Sequence, residues 1–294
     1  MNSLKERLIK YTFATLGYAS LFFLLGITVV LVKESIPAIR ELNIFSFIFG
    51  MEWYPTHEPP EFGILPLIVG SLAVSAAAVV ICVPLGVGTA LYLHEIAGET
   101  QKRILKPVIE ILSGIPSIIF GFFGLVIVAP FLQNTFDLPT GLSLLTAGIV
   151  LGIMVIPTIT SISEDALSFV PRSFREASYA LGANRWQTLT KVIIPAAGSG
   201  ISTSIILGVS RLMGETMTVL MVAGGAAMIP DSLFSPVRPM TAAIAAEMGE
   251  AAQGSLHYSS LFFIGLVLFM ITLLLNILSE HISKKYRLKL GQGR

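Results

Sequence analysis

An arginine and a glutamate, Arg211 and Glu215, stand four residues apart inside a run, 201 to 222, that is otherwise fit for hydrocarbon. Each costs about 2.5 to 3.5 kcal/mol at mid-bilayer, so side chains of this kind in such a run are rarely idle. On one continuous helix, i to i+4 spacing sets both on one face, where they are able to neutralise one another. Apolar packing beside Gly208 and Gly214 would fill an interior position without desolvating two ions, which favours a functional role. A guanidinium presents planar, forked donors that match tetrahedral oxyanions, and this makes Arg211 the candidate contact for an anion crossing the bilayer. Glu215 either holds Arg211 between passages or accepts a hydrogen bond from a protonated oxyanion; fully ionised sulfate has no proton to give. Thr216, the next residue, is the third candidate for this translocation site.

Such charges need a membrane scaffold to hold them. Charged residues make up 13% of the chain and hydrophobic ones 54%, against about 25% charged in soluble domains. A ~30 Å hydrocarbon core takes about 20 helical residues. Runs of that order occur near 12 to 32, 64 to 93, 108 to 132, 142 to 162, 201 to 222 and 260 to 279. The expected fold is all-α and polytopic, with six transmembrane helices. The second run exceeds one upright span, which predicts tilt, a kink at Pro84 or an extension to Leu93. Lys5, Arg7 and Lys10 before the first run resemble a signal peptide, but the apolar core is too long and no small-x-small site follows, so an uncleaved anchor is expected.

Basic residues give the orientation. The N-terminus, the 94 to 107 loop, the 163 to 200 loop and the tail after 279 together carry fifteen Lys and Arg, while the opposite side holds Lys33, Arg40 and Arg238. The positive-inside rule then puts both termini and the 163 to 200 loop in the cytoplasm. Cys82 is the sole cysteine, which excludes an intrachain disulfide or a zinc cluster. The four histidines, His57, His94, His257 and His281, are scattered, and no nucleophile, base or metal grouping converges in sequence. No G-x-x-x-x-G-K-[ST] run occurs, so any ATP that drives this chain must bind another.

The polar segment from Ser173 to Pro195 reads as a docking device. Ser173 with Glu176 makes a capping box, Gly182 suits a left-handed helix end, and Asn184 with Gln187 caps a second helix. Phe174, Ala177, Ser178 and Leu181 share one face of the first helix, offering an apolar surface. Ser113-Gly114-Ile115-Pro116-Ser117 interrupts the third run, freeing backbone groups for an aqueous path or simply kinking the helix. Outside the membrane, residues 33 to 62 form a folded loop in which Trp53 and Tyr54 suit the lipid interface or contact with a soluble partner. Thr241 to Gln253 is expected to be a helix at the outer surface, with Glu247 and Glu250 one turn apart.

The docking segment resembles the Glu-Ala-Ala, three residues, Gly, nine residues, Ile-x-Leu-Pro pattern of permease subunits of ATP-binding-cassette importers. Ser178 replaces the second Ala, Val192 the Ile and Ile194 the Leu. The runs Phe62 to Ser71, Ser113 to Ser117 and Gly214-Glu215-Thr216-Met217 look like the phosphate-specific permeases. Gly249-Glu250-Ala251 and Gly254 to Tyr258 look more like the PstC than the PstA type.

That resemblance implies a type I importer (MetI-like) fold in a prokaryotic cytoplasmic membrane, with the core at 63 to 283 after an anchor and outer loop at 1 to 62, and a basic tail at 284 to 294. It implies phosphate passage at Arg211 and Glu215, and coupling through Ser173, Phe174, Glu176, Ala177, Leu181, Gly182 and Ala183. It also implies a PstA sister permease, a PstB-type ATPase dimer that binds the ATP and Mg, a PstS-type phosphate-binding protein and the regulator PhoU. This chain is expected to bind no cofactor and to catalyse nothing itself. The competing readings are a permease for sulfate, molybdate or tungstate, and an ATP-independent secondary anion transporter.

Overall fold

The computed structural model describes the backbone of residues 3–289 and the side chains of residues 6–281. Lys5 and the basic tail expected at 284 to 294 lie outside the residues whose side chains are described. In chain order the elements are α1 (Ser3–Glu41), α2 (Ile44–Phe49), β1 (Trp53–Tyr54), β2 (Glu61–Phe62), α3 (Leu65–Glu95), α4 (Glu99–Ser113) and α5 (Ser117–Phe123). A π-helical turn (Gly124–Val128) leads into α6 (Ala129–Phe136), followed by α7 (Leu144–Ser168), α8 (Arg172–Ala180) and α9 (Arg185–Thr188). A second π-helical turn (Leu189–Ile193) enters α10 (Ile194–Met213), and α11 (Met217–Val222), α12 (Met240–Glu247) and α13 (Leu256–Lys289) complete the chain.

Six helical stretches among the described residues are long and apolar enough to cross a membrane: Glu6–Glu41, Leu65–Glu95, Ser117–Phe136, Leu144–Ser168, Arg185–Met213 and Leu256–His281. They match the expected spans in number and order. The first lies outside the body, with the side chains of its most apolar stretch exposed, and it reaches the bundle through α13, where Leu31 meets Gly265. The second continues beyond Leu93 to Glu95.

Helices in lipid gain no hydrophobic advantage from touching each other, so close van der Waals contact between small residues must hold them. α7 supplies it at the centre of the fold, packed on α3 and α10. A Cβ placed on Gly148 would lie 2.7 Å from the Ala77 Cβ, and one on Gly86 would lie 2.8 Å from Ile159 Cγ2. Around this seam Val74, Ala78, Leu151, Met154, Val155, Ile159 and Leu212 form the buried core.

Four expectations are corrected. The third span starts at Ser117 rather than near 108, because Glu99–Ser113 forms a separate amphipathic helix with its apolar side chains on one face; the break at Gly114 to Pro116 divides the two. The fifth span ends at Met213, and the residues to 222 turn into a separate short helix. The outer helix ends at Glu247, leaving Glu250 beyond it, and its residues Met240 to Ala243 are buried. Trp53 neither faces lipid nor waits for a partner. It is buried, its indole N–H lies 3.0 Å from both carboxylate oxygens of Glu247, and its ring meets Phe47, Phe62 and His257 edge-on.

The α3–α7 seam generates a test. Gly148→Val forces atoms into a contact with no room for them, an overpacking that costs about 1 to 3 kcal/mol. The unfolding midpoint in detergent is expected to fall by several degrees, whereas Gly88→Ala, at a site open around its Cβ, leaves it unchanged.

Candidate functional site

The intramembrane charges sit on a broken helix. Arg211 lies in the last turn of α10, Gly214 caps that helix, and the chain unwinds through Glu215 before α11 begins at Met217. The two charges therefore do not share a helical face, and no ion pair joins them. The low helix propensity of glycine makes Gly214 the natural point of rupture. A neighbouring hydroxyl accommodates the freed backbone carbonyl there, since lipid cannot: Thr241 Oγ1 donates to the Glu215 carbonyl at 2.7 Å. Thr218 Oγ1, in α11, donates across to the carbonyl of Ser117, at the start of α5, at 3.0 Å. Thr218 also lies 3.4 Å from Glu215 Oε1. Thr216 directs its hydroxyl to the Gly214 carbonyl at 3.3 Å.

Arg211 has a different neighbour. Its Nη1 donates to Thr158 Oγ1 on α7 at 3.0 Å, and among the described residues no carboxylate lies within ion-pairing distance. The guanidinium is half-buried and keeps most of its five N–H donors uncommitted to protein. Partly desolvated and uncompensated, this cation favours an anion. The α10 carbonyl end points its negative pole toward this turn, which suits the arginine there.

The second site is the loop between the fourth and fifth spans. α8 starts after Pro171, which caps it without any side-chain bond; the expected Ser173 and Glu176 box does not form, because Ser173 lies inside the first turn and proline needs no N–H there. The helix ends as a Schellman motif: Gly182 takes φ +81°, its N–H donates to the Tyr179 carbonyl, and the Ala183 N–H donates to that of Ser178. Asn184 and Gln187 cap α9 reciprocally. Ser178 is 7% exposed and pairs with Thr188 Oγ1 at 2.9 Å, so it binds the two short helices together instead of joining the outer face. That face keeps Phe174, Ala177 and Leu181, with Leu181 88% exposed, and Trp186 on α9 is exposed as well.

Sequence reasoning missed what anchors the loop. Arg175 forks onto the carboxylate of Glu95, the last residue of α3: Nη2 to Oε1, and Nη1 to Oε2 at 3.2 Å. Its Nη2 also lies 3.1 Å from His94 Nε2, and Arg185 reaches the Glu95 carbonyl. The Glu95 side chain is only 5% exposed. Two acceptors at the end of an over-long apolar run, with unassigned arginines in the docking loop, were the available signal. Nearby, Lys106 on α4 bonds Glu164 at 2.6 Å and Asp165 at 3.0 Å on α7. The hydrogen bond to Glu164 is the main cause that raises the lysine above its ordinary pKa. A raised cation keeps its stabilising effect below the unfolded value, about 10.4, and loses it only as pH climbs through the folded one. This tie is therefore constant across neutral pH.

A six-span bundle with an uncompensated cation at a broken helix and a capped, apolar-faced loop defines a membrane transport subunit. The chain belongs to the family of binding-protein-dependent transport system inner membrane components, whose model matches residues 82–288. It is 41% identical over 247 residues to a probable ABC transporter permease protein, YqgH, of Bacillus subtilis, covering 84% of this chain and 80% of that one. It is 35% identical over 306 residues to the phosphate transport system permease protein PstC of Haemophilus influenzae, covering 98% and 96%. The PstC of Mesorhizobium japonicum is 38% identical over 266 residues, covering 84% and 80%. Among solved structures, a bacterial alginate ABC transporter superposes with TM-score 0.67 over 96% of each chain at 13% identity, and the MetNI methionine ABC transporter with TM-score 0.59 over 74% of this chain and 93% of that one at 21% identity. The fold is that of the MetI-like importer permeases.

Glu95→Ala leaves Arg175 without its carboxylate, and breaking a buried pair is strongly destabilising. Amide exchange across 172 to 188 is expected to rise by about tenfold, a free-energy change of about 1.4 kcal/mol, with Glu95→Gln intermediate. Unchanged exchange would show that the loop stands without this anchor.

Proposed function

We propose that this chain is one half of the translocation path of an ATP-driven phosphate importer in a prokaryotic cytoplasmic membrane. The observation that carries this reading is Arg211, a cation at a helix break with a hydroxyl neighbour and, among the described residues, no carboxylate partner. Similarity to the PstC proteins supplies phosphate as the substrate. The proposed assembly adds a PstA-type sister permease, a PstB-type ATPase dimer that binds ATP and Mg, a PstS-type binding protein that delivers the anion, and PhoU as regulator. Both termini and the 163 to 200 loop face the cytoplasm. This chain hydrolyses nothing.

Closure of the ATPase pair pushes on the apolar face of Phe174, Ala177 and Leu181. Gly182 and Ala183 hold the junction of α8 and α9 in shape, while Ser173 and Glu176 lie on exposed positions of α8 beside that face. Rigid movement of the spans then alternates access to the path. Phosphate meets the free N–H groups of Arg211, and Glu215 accepts a hydrogen bond from a protonated phosphate oxygen, which a sulfate ion cannot offer. Thr216 keeps the intervening turn unwound through its bond to Gly214.

In proteoliposomes carrying the full complex, Arg211→Ala is expected to lower ATP-dependent phosphate uptake at least a hundredfold, with Arg211→Lys partly active because it keeps charge but not the fork. Uptake by Arg211→Ala at the wild-type rate would remove this site from the mechanism.

Gly182→Val places a β-branched residue at φ +81°, a conformation open to glycine at little cost. The expected outcome is loss of copurifying ATPase together with uptake. Retention of both would mean that the loop does not couple.

A further inference from the structure

We infer that Thr158 is a second, direct donor to the transported anion, forming with Arg211 a two-residue cradle that spans α7 and α10. The inference rests on the phosphate-permease reading and adds to it a ligand from another helix.

The hydroxyl is conspicuous for what it does not do. Threonines in the helices of this chain commonly spend their hydrogen on the carbonyl four residues back: Thr89 on Leu85 at 2.7 Å, Thr135 on Phe131 at 2.6 Å, Thr203 on Ser199 at 2.9 Å. This back-bonding is the local minimum for a hydroxyl that lipid cannot satisfy. Thr158 departs from it. Its oxygen accepts from Arg211 Nη1 at 3.0 Å, and among the described residues no protein acceptor takes its hydrogen. A hydroxyl carries one donor and two acceptor lone pairs, so this oxygen is oriented by the guanidinium while its own O–H points elsewhere.

Its surroundings fix its place. The preceding residue, Pro157, is buried within α7, and the following two, Ile159 and Thr160, are buried as well; Thr160 donates across to the Gly86 carbonyl of α3 at 3.1 Å. Ile159 is wedged into the close approaches at Gly86 and Gly208, 2.8 Å and 3.0 Å from where their Cβ atoms would lie. Thr158 is thus rigidly mounted, and it remains partly exposed beside the partly exposed Arg211. An oxyanion hydrogen-bonded to the free N–H groups of Arg211 lies next to the atom that already contacts Nη1. The O–H of Thr158 is there to donate to a second oxygen of the same tetrahedral ion. Neutral and charged donors aimed at one anion are the arrangement that recognises a tetrahedral oxyanion.

The test uses the whole reconstituted complex and inorganic phosphate. Thr158→Val keeps the shape and removes the hydroxyl; Thr158→Ser keeps the hydroxyl and removes a methyl; Thr158→Ala is the second hydroxyl-free variant should valine prevent assembly. Maximal phosphate uptake is expected to fall about tenfold in Thr158→Val and Thr158→Ala, with Thr158→Ser within twofold of wild type. The phosphate concentration for half-maximal uptake should not change if a separate binding protein captures the ion, and copurification with the ATPase should stay normal. Wild-type uptake in the hydroxyl-free variants, or equal loss in the serine variant, overturns the role of Thr158. Neither result touches the broader reading, which stands or falls with Arg211→Ala measured in the same vesicles.

Discussion

A guanidinium in a bilayer without a carboxylate is the constraint around which this molecule is arranged. Arg211 would be least costly if Glu215 sat one turn away on the same helix and neutralised it. The chain forgoes that arrangement by unwinding at Gly214, which takes Glu215 off the helix that carries the arginine. The expense falls on a neighbour, Thr241, which must hold the free Glu215 carbonyl of the break, while Thr218, just beyond the break, reaches across to the start of the third span at Ser117. Two helical interruptions thus meet through one hydroxyl. A site that is charged, unwound and still ordered needs a close-packed frame on every side, and the small-residue seams of α7 against α3 and α10 provide it.

Much of this was legible in the sequence, and the failures share a cause. The number and order of the spans follow from apolar length, a property each segment owns by itself. So do the left-handed Gly182, the Asn184 and Gln187 box and the break at Gly114 to Pro116, all of which are decided within four or five residues. What escaped depends on residues far apart in the chain. Trp53 is 194 positions from its acceptor Glu247, and Arg175 is 80 from Glu95; no periodicity carries such pairings. The placement of Arg211 and Glu215 on one face failed differently, because i to i+4 spacing presumes a continuous helix and Gly214 ends it. Ser173 and Glu176 failed for a local reason: Pro171 initiates the helix two residues earlier, so the serine hydroxyl is no longer at the cap.

The anchors that sequence missed give the proposed push at the loop a physical route to the charge. Glu95 terminates α3, and Arg175 and Arg185 clamp it from α8 and from α9. The loop is therefore fastened to α3 through side chains and continuous with α10 through the second π-helical turn. Both helices pack on α7, which bears Thr158. Displacement of the loop cannot move α10 alone, since α3 is bound to the same clamp and both helices pack on α7 and on each other.

The opposite end is fastened with comparable care. Glu247 gathers Trp53 from the β1–β2 hairpin, Arg238 at 2.6 Å from the preceding loop and His257 at 3.0 Å from the start of α13. It closes α12, an eight-residue helix whose second residue, Thr241, holds the Glu215 carbonyl. One short rigid element thus joins the Glu247 hub to the unwound turn. Because α12 is buried along its first half, rearranging the hub without disturbing Glu215 would require breaking packed contacts, and interiors of this density switch between discrete arrangements instead of flexing gradually. The broken helix is held at one end by α12 and from the loop side by the α3 and α10 clamp. In the proposed cycle, alternating access is a contest between these two grips on one turn of chain.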